Sequence, residues 1–373
     1  MLNIGIVGAG VGGLTCALML KKLGHKVTIF EKQSKSISSG VGIQLSSNAI
    51  RILRLFDLED NIASVANFPS MVDCINGHNG KKITSIPLGK IAEKKFNAGF
   101  YQLHRNDLIS ILKNKVEDFG IKINYGSAVN NLTQNSSNVK IQLLNHNYNY
   151  DFVIGADGVN SLVRKKIFPN HKRRFLKQVA FRTLIPSKNI PGLFLQDKTL
   201  LFLGNGKHAV SYPIKDKAFI NFVFCINTEN FYEQDWTREV DTSELIKNFS
   251  DFITFEGVFE KISSLKKWGL FEYPFNKSWY NNRIILLGDA CHPILPYLAQ
   301  GASQAIEDSY VLCQSLKYNF DELYPTKFLK IYTNNRYLRV KKIKKASKKN
   351  AILYHLKNPL LKFFFHFCLL LKF

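Results

Sequence analysis

Residues 285–308, ILLGDACHPILPYLAQGASQAIED, gather the groups in this chain best suited to chemistry. An apolar strand over 284–287 runs into Gly288 and Asp289. A loop with Pro293 and Pro296 follows, and Gln300-Gly301-Ala302 opens a helix expected to end acidic at Glu307 and Asp308. A carboxylate at a strand end, beside small residues at a helix start, suits a polar ligand. The first N–H groups of a helix lack partners within it and carry partial positive charge. The amino terminus offers a second site of this kind. Gly8-Ala9-Gly10-Val11-Gly12-Gly13 follows an apolar strand over 4–7 and precedes a helix expected over 14–23. A second strand, 27–30, ends at Glu31. Glycines in this pattern permit a tight turn, close approach of backbone to a pyrophosphate, and close packing of helix on strand. Glu31 stands where a carboxylate takes a ribose hydroxyl pair. A third strand enters Asp157-Gly158, with Arg164 and Lys165 on a helix beyond. Alone, Asp-Gly is a common turn.

These motifs need a scaffold, and the 373-residue chain is long enough to bury a large core and to split into two domains. Between the motifs lie strand-like runs at 179–185, 200–203, 209–214 and 218–226, interrupted by Pro186, Gly204 and Pro213. They suit an antiparallel sheet. Six cysteines without C-x-x-C spacing argue against a zinc centre or a disulfide framework and suit a reducing cytosol. No metal site is expected. The apolar amino terminus lacks the basic flank of a signal peptide. Net charge is +23, and residues 323–373 hold 13 Lys or Arg with no Asp or Glu. The run from Arg336 to Lys349 is read as a solvated face in preference to a lipid or nucleic-acid surface. The apolar tail, 359–373, is too short to span a bilayer. It reads as a docked helix, with an interfacial helix as the alternative.

In this order the three motifs resemble the single-component FAD-dependent aromatic hydroxylases, the salicylate hydroxylase and para-hydroxybenzoate hydroxylase superfamily. Two further segments carry the resemblance. Gly40-Val41-Gly42-Ile43-Gln44-Leu45 with Asn48 resembles the family's loop after the second strand, and Leu103-His104-Arg105-Asn106-Asp107-Leu108 resembles its Arg-x-x-Leu. Cys291 departs from the pattern, where Ala is usual. The resemblance implies an α/β fold: a Rossmann-like, three-layer FAD-binding domain around a parallel sheet, an inserted and mostly antiparallel β-sheet substrate domain, and a C-terminal helical region. The FAD-binding domain would then be discontinuous, over 1–70, 100–175 and 270–325. The substrate domain would take 71–99 and 176–269, and 326–373 would form C-terminal helices with the basic, apolar tail.

The same resemblance assigns non-covalent FAD to Gly8, Gly10, Gly13, Glu31, Lys32, Val41, Gly42, Arg105, Val129, Asp157, Gly158, Asp289, Pro296, Gly301 and Ala302. It implies NADH or NADPH as co-substrate, O2, and hydroxylation of a small aromatic or heteroaromatic acid through a flavin hydroperoxide. The alternative on this scaffold is an epoxidase or quinone-ring hydroxylase acting on an apolar substrate at a membrane surface. The family's pocket-facing strand matches HAVSYP, so strand alternation puts His208, Val210 and Tyr212 on one face. A histidine near a phenol takes its proton, though a lone strand histidine also serves packing. Arg182 in AFRTLIP would face a carboxylate or solvent, and His292 would shape its loop. A monomer or homodimer is expected in the cytoplasm, without nucleic acid, and with peripheral membrane contact left open through the tail.

Overall fold

A computed structural model describes residues 1–35, 41–232 and 239–357. Gly40, Trp236, Cys368 and the tail 359–373 fall outside the described residues. At the centre is a six-stranded sheet in the order Tyr280–Asn281, Ile284–Leu286, Phe152–Gly155, Asn3–Val7, Lys26–Phe30, Lys122–Asn124. All pairings are parallel except the edge hairpin at Tyr280–Asn281. Parallel strands covered on both faces are apolar throughout, and Phe152–Gly155 and Ile284–Leu286 are buried at every residue. Helices Val11–Lys22, Arg105–Asp118 and Gly301–Asn319 pack together on one face. A three-stranded antiparallel sheet over Asn131–Tyr150 covers the other, with Ile141 and Tyr150 against Gly5. The expected α/β fold, with a parallel sheet in three layers, is thus observed.

Residues 71–87 and 174–272 supply a seven-stranded sheet, ordered Lys266–Glu272, Arg174–Pro186, Phe219–Asn227, Lys207–Ile214, Lys198–Leu203, Met71–Asn76, Lys82–Pro87. It is antiparallel apart from the pair Lys198–Leu203 with Met71–Asn76. Its strands sort residues by the period of two. Phe181, Phe202, Phe222 and Phe224 point into a phenylalanine-rich core with Phe249, Phe252 and Phe255. Their sequence neighbours Arg182, Leu201, Val223 and Cys225 face the opposite way, into a cavity.

Several local expectations shift. The first helix begins at Val11 rather than residue 14, because Gly10 caps it with extended backbone and Gly12 and Gly13 enter the first turn. Residues Gly42–Leu45 form a strand paired with Tyr101–His104, not a loop. Pro213 lies inside a strand: Lys198–Leu203 pairs only as far as Ser211, so no neighbour on that side needs its missing N–H. The helix after Gly301 does not end at Glu307 and Asp308 but continues to Asn319. Both acids are buried, because the C-terminal helix Lys327–Tyr354 brings Arg336 between them. Arg336 Nη1 meets Glu307 Oε2 at 2.5 Å and Nε meets Asp308 Oδ1 at 2.7 Å.

Along that helix Lys341, Lys342, Lys345 and Lys349 are exposed, as a solvated face requires, and two members of the basic run depart from it. Arg336 and Lys344 are buried, Arg339 pairs with Glu307, and Lys348 pairs with Glu272. Among the described residues no helix is long and apolar enough to cross a membrane.

Asp308 is buried and accepts Arg336, His292 Nε2 at 2.7 Å and the Gly288 N–H at 3.0 Å. Burial would raise its pKa, but His292 and Arg336 outweigh that and hold it at about 2. Breaking a buried pair by removing one partner leaves an uncompensated charge. Arg336→Ala should therefore destabilise the protein by about 3–5 kcal/mol, measured by equilibrium denaturation near neutral pH. Asp308 is depressed, so its stabilisation is present above about pH 4 and is lost as pH falls towards about 2. The gap between wild type and Asp308→Asn should narrow over that window.

Candidate active site

The cavity, about 470 Å³, lies between the central sheet's carboxyl edge and the seven-stranded sheet. One wall carries Gly42, Arg105, Gly158, Asp289, Pro296, Gly301 and Ala302, so these expected positions meet on one surface. The opposite wall carries Arg182, Thr199, Leu201, His208, Val210, Tyr212, Val223 and Trp268. The alternation read from HAVSYP holds, with residues 208, 210 and 212 all facing the cavity.

Each wall is positioned by backbone geometry. The strand Ile284–Leu286 ends where Gly288–Ala290 makes a single turn, which turns Asp289 outward while Gly288 and Ala290 stay buried. Asp289 is exposed and lines the cavity. Enclosure raises its carboxyl pKa, opposed by His292 and Arg105. Burial lowers the Arg105 guanidinium, opposed by Asp289. The Val41 carbonyl accepts the Arg105 N–H at 3.0 Å, which pins the start of its helix beside the cavity. Arg182 lies with its guanidinium 4.8 Å from the Trp268 ring centroid, a cation–π distance. Burial lowers its pKa, against the pull of Tyr212 and Cys225. Burial likewise pushes the Tyr212 phenol up. Asn221 Oδ1 accepts the Gly42 N–H at 2.8 Å and ties the two walls together.

Other expected residues lie off this cavity. Glu31 sits at the glycine loop, where its carboxylate accepts the N–H groups of Ala9 at 2.8 Å and Gln33 at 2.9 Å. Lys32 is exposed beside it. Val129 is half-buried and packs against the core of the central sheet. Asp157 spends its carboxylate on its own helix, taking the Ser161 hydroxyl at 2.5 Å and the Leu162 and Val163 N–H groups at 2.7 and 3.2 Å. His292 bonds to Asp308 and lies against Trp279, consistent with a loop-shaping part. Asn221, His355, Tyr297 and Tyr354 escaped the sequence reading. Strand alternation from Val223 and Cys225 would have found Asn221. Nothing local marks His355, which follows the long helix.

The glycines test whether a dinucleotide fits. A side chain on Gly13 would strike the Gly8 carbonyl oxygen at 2.0 Å, so the protein's own packing demands that glycine. A side chain on Gly10 or Gly301 would meet nothing within 4 Å. Neither has a positive φ, so their own chain does not require glycine there. Open space against bare backbone, at the start of a helix, is what an approaching pyrophosphate or flavin needs. Among the described residues no cluster suits a metal ion.

Comparison with known proteins agrees. Residues 1–347 match the model of the FAD binding domain family. The chain is 30% identical over 309 residues to 3-amino-4-hydroxybenzoate 2-monooxygenase of Streptomyces cremeus, covering 82% of this chain and 76% of that one. It is 28% identical to 6-hydroxynicotinate 3-monooxygenase of Pseudomonas fluorescens, covering 96% and 93%. A solved salicylate hydroxylase substrate complex shares the fold at a TM-score of 0.80 and 22% identity, covering 96% and 90%. The chain belongs to the FAD binding domain family. It is an FAD-dependent monooxygenase of the aromatic hydroxylase type.

The two glycines should separate on substitution. Gly10→Val should leave the flavin-free protein's melting temperature unchanged and weaken FAD at least tenfold, about 1.4 kcal/mol. Gly13→Val should lower the melting temperature of the flavin-free protein itself. Flavin released on denaturation and thermal scans of both forms check this.

Proposed function

We propose that the enzyme uses NADH or NADPH and O2 to hydroxylate a small aromatic or heteroaromatic acid bearing a ring hydroxyl. The observation that carries this reading is a guanidinium, an imidazole and a phenol on one largely apolar wall: Arg182, His208 and Tyr212, beside Trp268, Leu201 and Val223. The ring would lie against the apolar side chains, the acid would meet Arg182, and the hydroxyl would meet His208. The relatives named above act on hydroxylated aromatic or heteroaromatic acids, which supports the substrate class.

Bound FAD supplies the passage of electrons from pyridine nucleotide to O2 and the delivery of one oxygen atom to the ring. The protein supplies the setting. Gly8, Gly10 and Gly13 would admit the pyrophosphate, with Glu31 at the ribose. Arg105, Asp289, Gly42, Pro296, Gly301 and Ala302 would hold the cofactor's reactive end. Asp157 would act indirectly, by fixing the turn at Gly158. Burial lowers His208 well below its ordinary value, with His355 adding to the effect. The imidazole is therefore neutral and able to accept the hydroxyl proton, which makes the ring electron-rich for attack. The walls exclude water and orient the ring towards the cofactor. Residues 1–70, 100–175 and 270–325 would form the cofactor unit, and 71–99 with 176–269 the cover. Among the described residues five cysteines are free and buried, which suits a reducing compartment such as the cytoplasm.

A screen of hydroxylated aromatic acids for stimulated NAD(P)H oxidation, with product mass analysis, tests the reading. At least one acid should raise the rate about tenfold or more, a barrier change of about 1.4 kcal/mol, and gain one oxygen atom. Arg182→Met should raise KM for that acid by about ten- to hundredfold, the loss of a charge-assisted hydrogen bond, and affect the matching neutral phenol far less. Oxidation of NAD(P)H that no ring compound stimulates would defeat the proposal.

A further inference from the structure

His208 does not stand alone. His355, one residue past the C-terminal helix, is 5% exposed and places Nε2 at 2.7 Å from His208 Nδ1. Its own Nδ1 lies 2.8 Å from Asn227 Oδ1. That oxygen also accepts Gln178 Nε2 at 2.9 Å, and Gln178 Oε1 accepts the Tyr297 hydroxyl at 2.9 Å. Gln178 Nε2 is also near His355 Nδ1, but farther, at 3.5 Å, so the ring hydrogens are assigned from the nearer Asn227 oxygen. An amide oxygen only accepts, so the neutral His355 ring carries its hydrogen on Nδ1. His355 Nε2 is then a lone pair, and it must receive the hydrogen of His208 Nδ1. The neutral His208 ring has no second hydrogen, so its Nε2 is a free base, on a side chain that lines the cavity.

We propose that His208 and His355 form a two-imidazole relay that carries the substrate's hydroxyl proton from the cavity to the surface at Asn227. The inference rests on the reading of His208 as the group that meets the hydroxyl. In the relay the substrate O–H bond breaks, its electron pair stays on oxygen, and a bond forms from hydrogen to His208 Nε2. The His208 Nδ1–H bond breaks as His355 Nε2–H forms. His355 Nδ1 then gives its hydrogen to solvent beside Asn227, which is exposed. The reverse path returns a proton when the product leaves. His355 touches no substrate and is a positioning residue with a conducting part. Burial lowers it to about 4, so the pair passes a proton on rather than storing it.

The test uses the FAD-loaded enzyme, selectively ¹⁵N-labelled at histidine, and three variants. In the wild type, NMR should find His208 protonated on Nδ1. His355→Phe should shift it to Nε2–H. His355→Gln offers His208 an accepting oxygen but cannot conduct. It should keep the Nδ1–H tautomer, the flavin content and KM for the best acid of the screen within about twofold, and lose about tenfold or more in kcat. His208→Gln should be as slow. Wild-type His208 protonated on Nε2 would overturn the relay whatever the substrate. Full kcat in His355→Gln, with His208→Gln slow, would overturn the relay and leave His208 as base. Full kcat in His208→Gln would overturn the base assignment and the relay with it.

Discussion

The carboxylate of Asp308 joins a turn, the loop that follows it and the C-terminal helix. It accepts the Gly288 N–H of the turn bearing Asp289, His292 Nε2 of the loop beyond, and Arg336 Nε of the C-terminal helix. A buried carboxylate without partners would be too costly to keep ionised, so the three donors must be present together. Where Asp289 points, how the 293–298 loop runs and where the last helix lies are therefore linked. The last helix adds its own ties, from Ser347 Oγ to the Leu295 carbonyl and from Asn350 to that of Tyr297. Its end brings Tyr354 to the cavity wall and His355 against His208. One buried charge thus connects the cofactor side of the cavity to its far side.

The cover sheet meets a different constraint. A monooxygenase cavity must be dry, yet hold a cation and a base. Burying such groups is costly unless each has a partner. The sheet handles this by alternation, with one face given to a phenylalanine core that sets the sheet rigidly. The other face is mixed, with Arg182 over Trp268, His208 against His355 and Asn221 against the Gly42 backbone. The rigid face makes the polar one accurate. The aromatic ring of Tyr297, held by Gln178, closes the corner where the two histidines meet.

Much of this protein was legible in its residues because the responsible forces are local. A strand, a glycine turn and a helix start lie within about a dozen residues, so the sites at Gly8–Gly13 and Gly288–Gly301 and the pocket face at 208, 210 and 212 follow from period and residue type. What escaped depends on partners far along the chain. Glu307 and Asp308 look like a helix end until Arg336 arrives to bury them, and Arg336 and Lys344 look solvated until their helix docks. Asp157 looks like a ligand group until its carboxylate is found on its own helix start. His208 looks like a lone histidine until His355 meets it across a separation of 147 residues. Sequence by itself determined the elements and the cofactor's cradle, since those need only neighbours. The tertiary structure alone decided which charges are buried, what pairs them and which imidazoles meet, because these are settled by contacts that exist only after the elements pack.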